Sequence, residues 1–300
     1  MQSQPFLDAA RDGKNSFWRY LCGLILIGGA FIVSSFAMGV VLLIITGGEL
    51  DLTRLSPSLS LVILVIPFVA TLMALWLAVL GLHGRPFRTL ITPRARPVWR
   101  RLFVSAVIWF VLSGLTDIVL ALFITPGNYA AQFNAARFFP YAVLALLLIP
   151  IQASTEELVM RGYLMQAIGL VTRWLWLPLL VSSLAFAGLH SFNPEIEEYG
   201  FWTMMPAYLV MGLLFGWVTL RTHGLEAAMG LHIANNLYAA LLINYPGSAL
   251  PAPSLFVMRH FDPWQGLVVL LIIAPLYLLA LRALDRPAAA PSLAVQAREG

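Results

Sequence analysis

Long apolar stretches separated by short polar or proline- and glycine-rich segments run through almost the whole 300-residue chain. A membrane-spanning helix needs roughly 20 apolar residues, and the pattern predicts eight such helices. They lie at about residues 18–46, 59–82, 102–125, 140–169, 174–193, 202–221, 225–244 and 264–283. The predicted fold class is therefore all-α, a polytopic membrane helix bundle. The fourth segment is longer than a span requires, so part of it is expected to tilt or to lie at the interface.

The composition is that of a membrane protein. Hydrophobic residues make up 60% of the chain and charged residues 11%, whereas roughly a quarter of the residues in a soluble domain are charged. The single cysteine, Cys22, excludes an intramolecular disulfide and a cysteine metal cluster. The first apolar run is longer than that of a secretory signal, and no small-residue cleavage site follows it, so it is predicted to be the first span.

The basic residues predict the orientation of the bundle. With the N-terminus in the cytoplasm and eight alternating spans, 15 of the 18 lysine and arginine residues fall in inner segments. The outer loops keep only Arg54, Arg137 and Arg259. The positive-inside rule therefore predicts that both termini are cytoplasmic. This topology explains the formal charge of +4, and no nucleic-acid partner is expected.

Charged residues inside spans are costly and usually face the interior of the bundle, so they mark functional sites. The stretch "ASTEELVMRGYL" in the fourth segment carries Glu156, Glu157 and Arg161. Glu157 and Arg161 are four residues apart on one helical face, and they are predicted to pair. Glu156 points about 100° away around the helix and is predicted to have no partner in its own helix.

Two histidines lie well inside later spans. His190 in the fifth segment shares a helical face with Phe186, and His232 in the seventh shares one with Asn236. Counting from the preceding turn places Glu156 and His190 at similar depths, whereas the depth of His232 agrees only loosely. Six residues within 81 positions are predicted to form one constellation: Glu156, Glu157, Arg161, His190, His232 and Asn236.

Other polar and small residues in the spans have structural explanations. Asp117 has no partner by spacing, and Asn235 suits a hydrogen bond between helices. Glu226 lies near a helix start, where a capping or interface role is expected. Gly212 and Gly216 form a GxxxG pattern that is typical of close helix packing.

Three short motifs, in order on successive late spans, resemble those of a known family. "EELVMR" fits EExxxR, "FAGLH" fits FxxxH and "HIANN" fits HxxxN. Together they resemble the CPBP family, the CAAX-prenyl-endopeptidase and bacteriocin-processing intramembrane proteases. The resemblance covers about residues 154–236 and implies hydrolysis of a peptide bond inside the membrane by an activated water.

The resemblance also implies a role for each motif residue. Glu156 would be the general base, and His190 would help to hold and polarise the water. His232 and Asn236 would stabilise the oxyanion of the tetrahedral intermediate. Supporting roles in shaping and lining the site are implied for Glu157, Arg161 and Phe186. Because hydrolysis needs a base near a water, a polar cavity is expected among the fourth, fifth and seventh spans.

No cofactor is expected, and a zinc site is the alternative. Two histidines and a glutamate can make a three-ligand zinc site with an open position, and here the ligands would be Glu156, His190 and His232. The chain has no HExxH sequence, in which two histidines flank the glutamate base of many zinc proteases. The metal-free mechanism is therefore favoured.

A single membrane domain covering residues 1–300 is the predicted organisation, since no internal repeat is evident. Residues 1–17 are predicted to be a cytoplasmic N-terminal segment, residues 140–244 the helices of the catalytic core, and residues 284–300 a flexible C-terminal tail. The acidic loop "NPEIEEYG", residues 193–200, is predicted to be solvated.

Two other classes of function compete with the protease. A proton-coupled transporter also buries carboxylates and histidines, but the lack of a repeat and the clustering of polar residues in one half of the chain argue against it. A non-catalytic membrane scaffold or immunity-type protein would bind peptides without cleaving them. Serine and aspartyl intramembrane proteases fit poorly, since the chain has neither GxSG nor GxGD.

Residue usage gives an indication of source and substrate. Arginine-rich, lysine-poor usage favours a bacterial chain from a GC-rich genome, and hence a bacterial cytoplasmic membrane. Most bacteria lack prenylated CAAX proteins, so a membrane-associated peptide or protein precursor is the expected substrate. A prenylated CAAX protein is the alternative by analogy. The residues carry no signal for the cleavage sequence or the oligomeric state.

Overall fold

The computed structural model describes residues 4–172 and 174–284, and it is mostly helical. Its elements in chain order are α1 (Pro5–Asp8), α2 (Phe17–Thr46), α3 (Pro57–Leu77), α4 (Trp99–Val119), β1 (Tyr129–Ala131), α5 (Ala135–Glu157), α6 (Gln166–Val171), α7 (Trp176–Leu189), α8 (Pro194–Tyr199), α9 (Phe201–Thr222), α10 (Glu226–Leu241), β2 (Ile243–Asn244), β3 (Phe256–Met258) and α11 (Pro263–Leu284). The predicted C-terminal tail lies, apart from its first residue, outside the described residues.

Among the described residues, six helices are long and apolar enough to cross a membrane: Phe17–Thr46, Pro57–His83, Trp99–Ile124, Ala135–Val171, Phe201–Thr222 and Pro263–Ala283. The other two predicted spans are helical but shorter, since α7 has 14 residues and α10 has 16. Most side chains of α10 are buried by neighbouring protein, so this helix need not match the bilayer thickness. The chain is a multi-pass, all-α membrane protein, and the count of eight spans stays a prediction.

Three helices continue into wider π-helical turns: α3 over Ala78–His83, α4 over Leu120–Ile124 and α5 over Leu158–Met165. Such turns are rare in proteins overall, and those that occur are often found at functional sites. The third starts directly after Glu157 and leads into α6, so the fourth predicted span is one helix of 37 residues. This explains why the apolar stretch exceeded the length that a span requires.

The centre of the bundle is α10, which packs against α4, α5 and α9. A Cβ atom at Gly230 would lie 2.0 Å from the backbone oxygen of Leu102, so only glycine permits this approach of α10 to α4. The predicted GxxxG packing face is confirmed on α9, where a Cβ atom at Gly212 would lie 3.1 Å from the Cα atom of Ser183 in α7. Small residues thus set the distances among the helices that carry the motifs.

A small sheet joins the loops at one end of the bundle. Its strand order is β1-β3-β2, with β1 antiparallel and β2 parallel to β3. Tyr129 pairs with Met258, and Ile243 pairs with Phe256. The all-α fold class predicted from the sequence does not include these three very short strands.

The acidic loop is wrongly predicted at one position. Residues 194–199 form the short helix α8, and Glu195 is buried, with 3% of its surface exposed. Its Oε1 accepts hydrogen bonds from the Tyr245 hydroxyl at 3.2 Å and from the Ala249 backbone N–H at 2.8 Å. Both bonds go to Oε1, whereas Oε2 is buried and has no hydrogen-bond partner among the described residues. Burial raises the pKa of Tyr245 well above its ordinary value.

Candidate active site

The predicted pair of Glu157 and Arg161 is confirmed, and it is buried. Arg161 Nη1 donates to Glu157 Oε1 at 2.9 Å, and both side chains are 0% exposed. Arg161 Nη2 donates to the backbone oxygen of Gly212 at 2.8 Å. The guanidinium carbon lies 4.8 Å and 5.2 Å from the ring centres of Phe186 and Phe215. These contacts compensate for the removal of the ion pair from water.

His232 lies between the two glutamates. Its Nδ1 is 2.9 Å from Glu157 Oε1, and its Nε2 is 3.7 Å from Glu156 Oε2. Because an ionised carboxylate can only accept, Nδ1 is the donor to Glu157. The imidazole stacks on Phe215, with 4.5 Å between ring centres. The fourth and seventh predicted spans therefore place Glu156, Glu157 and His232 at one depth. Counting residues from the preceding turn gives only loose agreement for His232.

Glu156 is the least enclosed carboxylate of the group, with 14% of its side chain exposed. Its Oε1 accepts a hydrogen bond from Gln152 Nε2. Its Oε2 is buried and has no hydrogen-bond partner among the described residues. The prediction that Glu156 has no partner in its own helix is wrong, because Gln152 lies one turn earlier on the same face. Gln152 carries no charge, so charge alone does not single it out, and its spacing of four residues from Glu156 is the sequence signal for this bond.

Asn236 reaches the same group through Gln152. Asn236 Nδ2 donates to Gln152 Oε1 at 3.0 Å. Asn235 Nδ2 in turn donates to Asn236 Oδ1 at 3.1 Å, and Trp109 Nε1 donates to Asn235 Oδ1 at 3.2 Å. The expected role of Asn235 as a bond between helices is confirmed. The structure adds α4 to the site through Trp109, which no motif indicated.

His190 lies one step outside this group. It follows the last residue of α7, and its Nδ1 is 2.8 Å from the backbone oxygen of Phe186. Its ring centre is 4.4 Å from each of the rings of Phe186 and Tyr208. Within the described part of the chain, no hydrogen bond joins His190 to Glu156. The Phe186 ring, 5.9 Å from that of His232, lines the site between the two histidines.

Two cavities approach the site from the loop end. One of about 1270 Å³ is lined by loops that include Arg54, Arg137 and Ser191, the residue after His190. One of about 300 Å³ lies between α4, α9, α10 and α11, and Asn235 is among its lining residues. Glu156 lines neither of these two cavities. The polar cavity expected among the fourth, fifth and seventh spans stays a prediction.

The other polar residues singled out in the sequence have structural partners. Asp117 accepts hydrogen bonds from the hydroxyls of Tyr129 at 2.8 Å and Tyr238 at 2.7 Å, so it ties α4 to β1 and α10. Glu226, buried at the start of α10, accepts the backbone N–H of Val98 at 2.9 Å. Both have the structural roles expected from the sequence.

The histidines and acids do not fit a three-ligand zinc site as they are arranged. Among residues 4–172 and 174–284, no group of three or more His, Cys, Asp or Glu side chains is placed to hold a metal ion. Glu156 and His232 face each other, but His190 directs Nδ1 to the Phe186 backbone. Metal dependence stays a prediction.

Comparisons with known proteins agree with the motifs. The Rce1-like family, described as type II CAAX prenyl endopeptidase Rce1-like, matches residues 135–238, which run from the start of α5 to Tyr238 of α10. "Uncharacterized protein YyaK" of Bacillus subtilis (strain 168) is 34% identical over 266 residues, which cover 85% of this chain and 88% of that protein. No solved structure matches. The chain therefore belongs to the CPBP family of CAAX-type membrane proteases, as the three motifs predicted.

Proposed function

We propose that the chain is an intramembrane endopeptidase in which Glu156 activates a water to hydrolyse a peptide bond. The observation that carries the proposal is the difference between the two oxygens of Glu156. Oε1 is held by Gln152, whereas Oε2 is buried, has no hydrogen-bond partner among the described residues, and lies 3.7 Å from His232 Nε2. A general base needs a free acceptor within hydrogen-bond reach of the proton that it removes.

The proposed reaction begins when Oε2 of Glu156 takes a proton from the water. The water oxygen attacks the carbonyl carbon of the substrate, and the carbonyl oxygen becomes the oxyanion of a tetrahedral intermediate. Glu156 then passes its proton to the amide nitrogen, the carbon–nitrogen bond breaks, and an amine and a carboxylic acid leave. A base of this kind typically contributes about 100- to 10,000-fold in rate.

His232 and Asn236 are proposed to stabilise the oxyanion. Since Nδ1 of His232 donates to Glu157, Nε2 can also donate only when the ring carries both protons. The Asn236 amide has two N–H groups, of which Gln152 uses one. One such donor is typically worth about 100- to 1000-fold in rate.

His190 is proposed to hold and polarise the water from the side of the larger cavity. It lies against Phe186 and Tyr208, and the next residue, Ser191, lines that cavity. The peptide would enter from this loop end. Phe186 would separate the entrance from the buried pair of Glu157 and Arg161.

The proposed setting is the cytoplasmic membrane of a bacterium, with eight spans and both termini in the cytoplasm. The relative from Bacillus subtilis supports a bacterial source. The proposed substrate is a membrane-associated peptide or protein precursor, and the description of the matching family keeps a prenylated CAAX protein as the alternative. No cofactor is needed for the proposed steps.

Cleavage by the purified protein in proteoliposomes tests the proposal, with a mixture of quenched-fluorescent peptides of randomised apolar sequence as the probe. Glu156→Ala and His190→Ala should abolish cleavage while the protein still inserts and folds. Glu198→Gln changes an exposed glutamate of α8 and is the control, with unchanged cleavage expected. If both site variants cleave like the wild type, the proposal fails. Proton flux that Glu156→Gln abolishes would support a transporter instead.

A further inference from the structure

Trp109 of α4 begins a chain of side-chain hydrogen bonds that ends on Glu156 of α5. We infer that this indole fixes the orientation of three amides, and that Trp109 is a positioning residue for Glu156. The inference rests on the proposed role of Glu156 as the base. Trp109 donates to the first of the three amides, and Gln152 is the last of them. Neither residue belongs to the three sequence motifs.

The direction of the chain is set at its first member. An indole N–H can donate but cannot accept, so the atom that faces Trp109 Nε1 at 3.2 Å must be the Asn235 oxygen. The Asn235 nitrogen then points to the next amide and donates to Asn236 Oδ1 at 3.1 Å. A flipped Asn235 would place two donors opposite each other at the indole.

The same reasoning fixes the next two amides. With its oxygen occupied by Asn235, Asn236 donates through Nδ2 to Gln152 Oε1 at 3.0 Å. Gln152 therefore presents Nε2 to Glu156 and donates to Oε1. The chain starts at a group that only donates and ends at a carboxylate, which only accepts when ionised. Every amide between them has one consistent orientation.

Packing holds the indole in place. Trp109 is 2% exposed, and its ring packs edge to face against Tyr277 of α11, with 5.6 Å between ring centres. A buried aromatic ring in a close-packed core has a fixed direction for its N–H. The orientation of the amides is thus determined by the packing of α4, α10 and α11, outside the carboxylate group itself.

The consequence for Glu156 is a choice between its two oxygens. While Gln152 donates to Oε1, Oε2 remains free and faces His232. If Gln152 flipped, its oxygen would face a carboxylate oxygen, and the two acceptors would repel each other. Glu156 would then turn away from this position. Trp109 should therefore affect the catalytic step and leave substrate binding unchanged.

The test compares Trp109→Phe, Gln152→Leu and the double variant, with Ser105→Ala as the matched control. Trp109→Phe keeps an aromatic ring but removes the N–H. Ser105→Ala removes other buried bonds of α4, from Ser105 to the Ala227 oxygen of α10 and between Ser105 and the Tyr277 hydroxyl of α11, outside the chain of amides. The probe is one peptide selected from the quenched-fluorescent mixture. We expect kcat to fall about 3- to 10-fold in Trp109→Phe and about 10- to 100-fold in Gln152→Leu, each with unchanged KM.

The double variant decides whether Trp109 acts through the amides. Because its effect must pass through Gln152, the double variant should match Gln152→Leu alone, and Ser105→Ala should match the wild type. Additive losses in the double variant, or a loss in Ser105→Ala as large as in Trp109→Phe, would show a packing effect and overturn the inference.

A readout that needs no cleavage separates this inference from the proposed function. In nitrogen-15-labelled protein in lipid nanodiscs, the side-chain amide signals of Gln152, Asn235 and Asn236 can be assigned by single substitutions. Trp109→Phe should move all three signals, and Ser105→Ala should leave them in place. If the signals respond in this way but the wild type does not cleave peptide, the protease proposal fails and the chain of amides stands. If Trp109→Phe leaves the Gln152 and Asn236 signals in place, the inference is wrong.

Discussion

Two buried polar clusters each include residues of the same long helix, Ala135–Val171, and they differ in which atoms their hydrogen bonds leave unpaired. The carboxylate cluster consists of Gln152, Glu156, Glu157, Arg161, His232 and Asn236. The anchoring cluster consists of Tyr20, His83, Arg85, Tyr163 and Gln166. Both connect distant parts of the chain through fully or largely buried side chains.

The bonds of the anchoring cluster end mainly on the backbone. Gln166 Nε2 donates to the backbone oxygens of Phe6 at 3.0 Å and Thr89 at 2.8 Å, and its Oε1 accepts from Arg85 at 2.8 Å. The predicted N-terminal segment is thereby ordered from Pro5 onward against α6. A network that ends on backbone carbonyls holds segments together.

His83 shows the same difference within a single residue type. Its Nδ1 lies 2.8 Å from the Lys14 backbone oxygen and its Nε2 lies 2.8 Å from the Tyr163 hydroxyl, so both ring nitrogens are occupied. His232 has one nitrogen bonded to Glu157, while the other faces Glu156 at a distance longer than a hydrogen bond. In the proposed function, this second nitrogen of His232 donates to the oxyanion.

The unpaired atoms also differ in chemistry. In the anchoring cluster these are Nε and Nη2 of Arg85, and a guanidinium remains a cation that cannot take up a proton. Burial lowers the pKa of Arg85 from its ordinary value. In the carboxylate cluster the unpaired atoms include Oε2 of Glu156, which can accept a proton from water. Burial of polar groups alone therefore does not mark a hydrolytic site.

The largest expected effect is on cleavage and concerns one residue from each cluster. Glu156→Gln should lower the cleavage rate by about 100- to 10,000-fold, because it removes the base. Gln166→Leu should change kcat less than twofold, a limit of roughly 0.4 kcal/mol in barrier. Initial rates on the peptide mixture, normalised to folded protein, measure both. Equal losses in the two variants would remove the distinction between the clusters.

Within the carboxylate cluster, the stability of the fold should depend more on Glu157 than on its neighbour Glu156. Glu157→Gln leaves the buried Arg161 guanidinium without its counter-charge, and we expect a loss of about 3–5 kcal/mol. Glu156→Gln removes a partly exposed carboxylate that has no ion pair with Arg161, so its loss should be much smaller. Unfolding in detergent, followed by tryptophan fluorescence, gives both values. Similar stabilities for the two variants would contradict the separate roles of the neighbouring glutamates.

The same substitution in each cluster sharpens the contrast further. Gln166→Leu leaves a buried Arg85 donor and two backbone carbonyls without partners, at about 1–3 kcal/mol for each group that water does not reach. Hydrogen exchange at residues 5–12 should accelerate. Gln152→Leu is the control, since it should slow catalysis without loosening that segment. Fast exchange in both variants would mean that the clusters are one cooperative unit.

The smallest expected effect is a pH dependence at the turn between α9 and α10. Burial and the nearby Arg94, Arg101 and Arg221 lower the pKa of His223. The unfolded chain therefore binds this proton first, so stability should fall as the pH drops below about 6.5. His223 has a positive φ of 52°, a conformation that asparagine adopts readily.

His223→Asn should therefore remove part of the acid-induced loss of stability while leaving stability at pH 8 nearly unchanged. Melting temperatures of the wild type and the variant between pH 5 and pH 8 provide the measurement. A constant difference across this range would exclude His223 as the titrating group.

Much of the framework follows from the sequence, because apolar length and charge carry strong signals. A helix forms in each of the eight predicted segments, and the pair of Glu157 and Arg161 forms as its spacing predicted. The length of α10 did not follow, because the sequence does not distinguish apolar residues covered by lipid from apolar residues covered by protein. Helix α10 is covered by protein along most of its length.

The neutral members of both clusters could not be predicted in the same way. Gln152 and Trp109 carry no charge, and the bond from Trp109 to Asn235 joins residues 126 positions apart. Gln166 bonds the backbone of Phe6 across 160 positions, and a backbone carbonyl has no sequence signature. Charged motifs identified the carboxylate cluster, but only the packing of the helices shows which neutral side chains orient it.

The most direct test of the central claim is to follow, by oxygen-18 labelling, the oxygen atom that enters the product. The wild type should be allowed many turnovers on a quenched-fluorescent peptide in water enriched in oxygen-18, followed by mass spectrometry of the product and of the tryptic or chymotryptic peptide containing Glu156. If Glu156 acts as a base, the new carboxyl group carries oxygen-18 and Glu156 stays unlabelled. Oxygen-18 in the side chain of Glu156 would show that it attacks the substrate itself and would contradict hydrolysis by a glutamate-activated water.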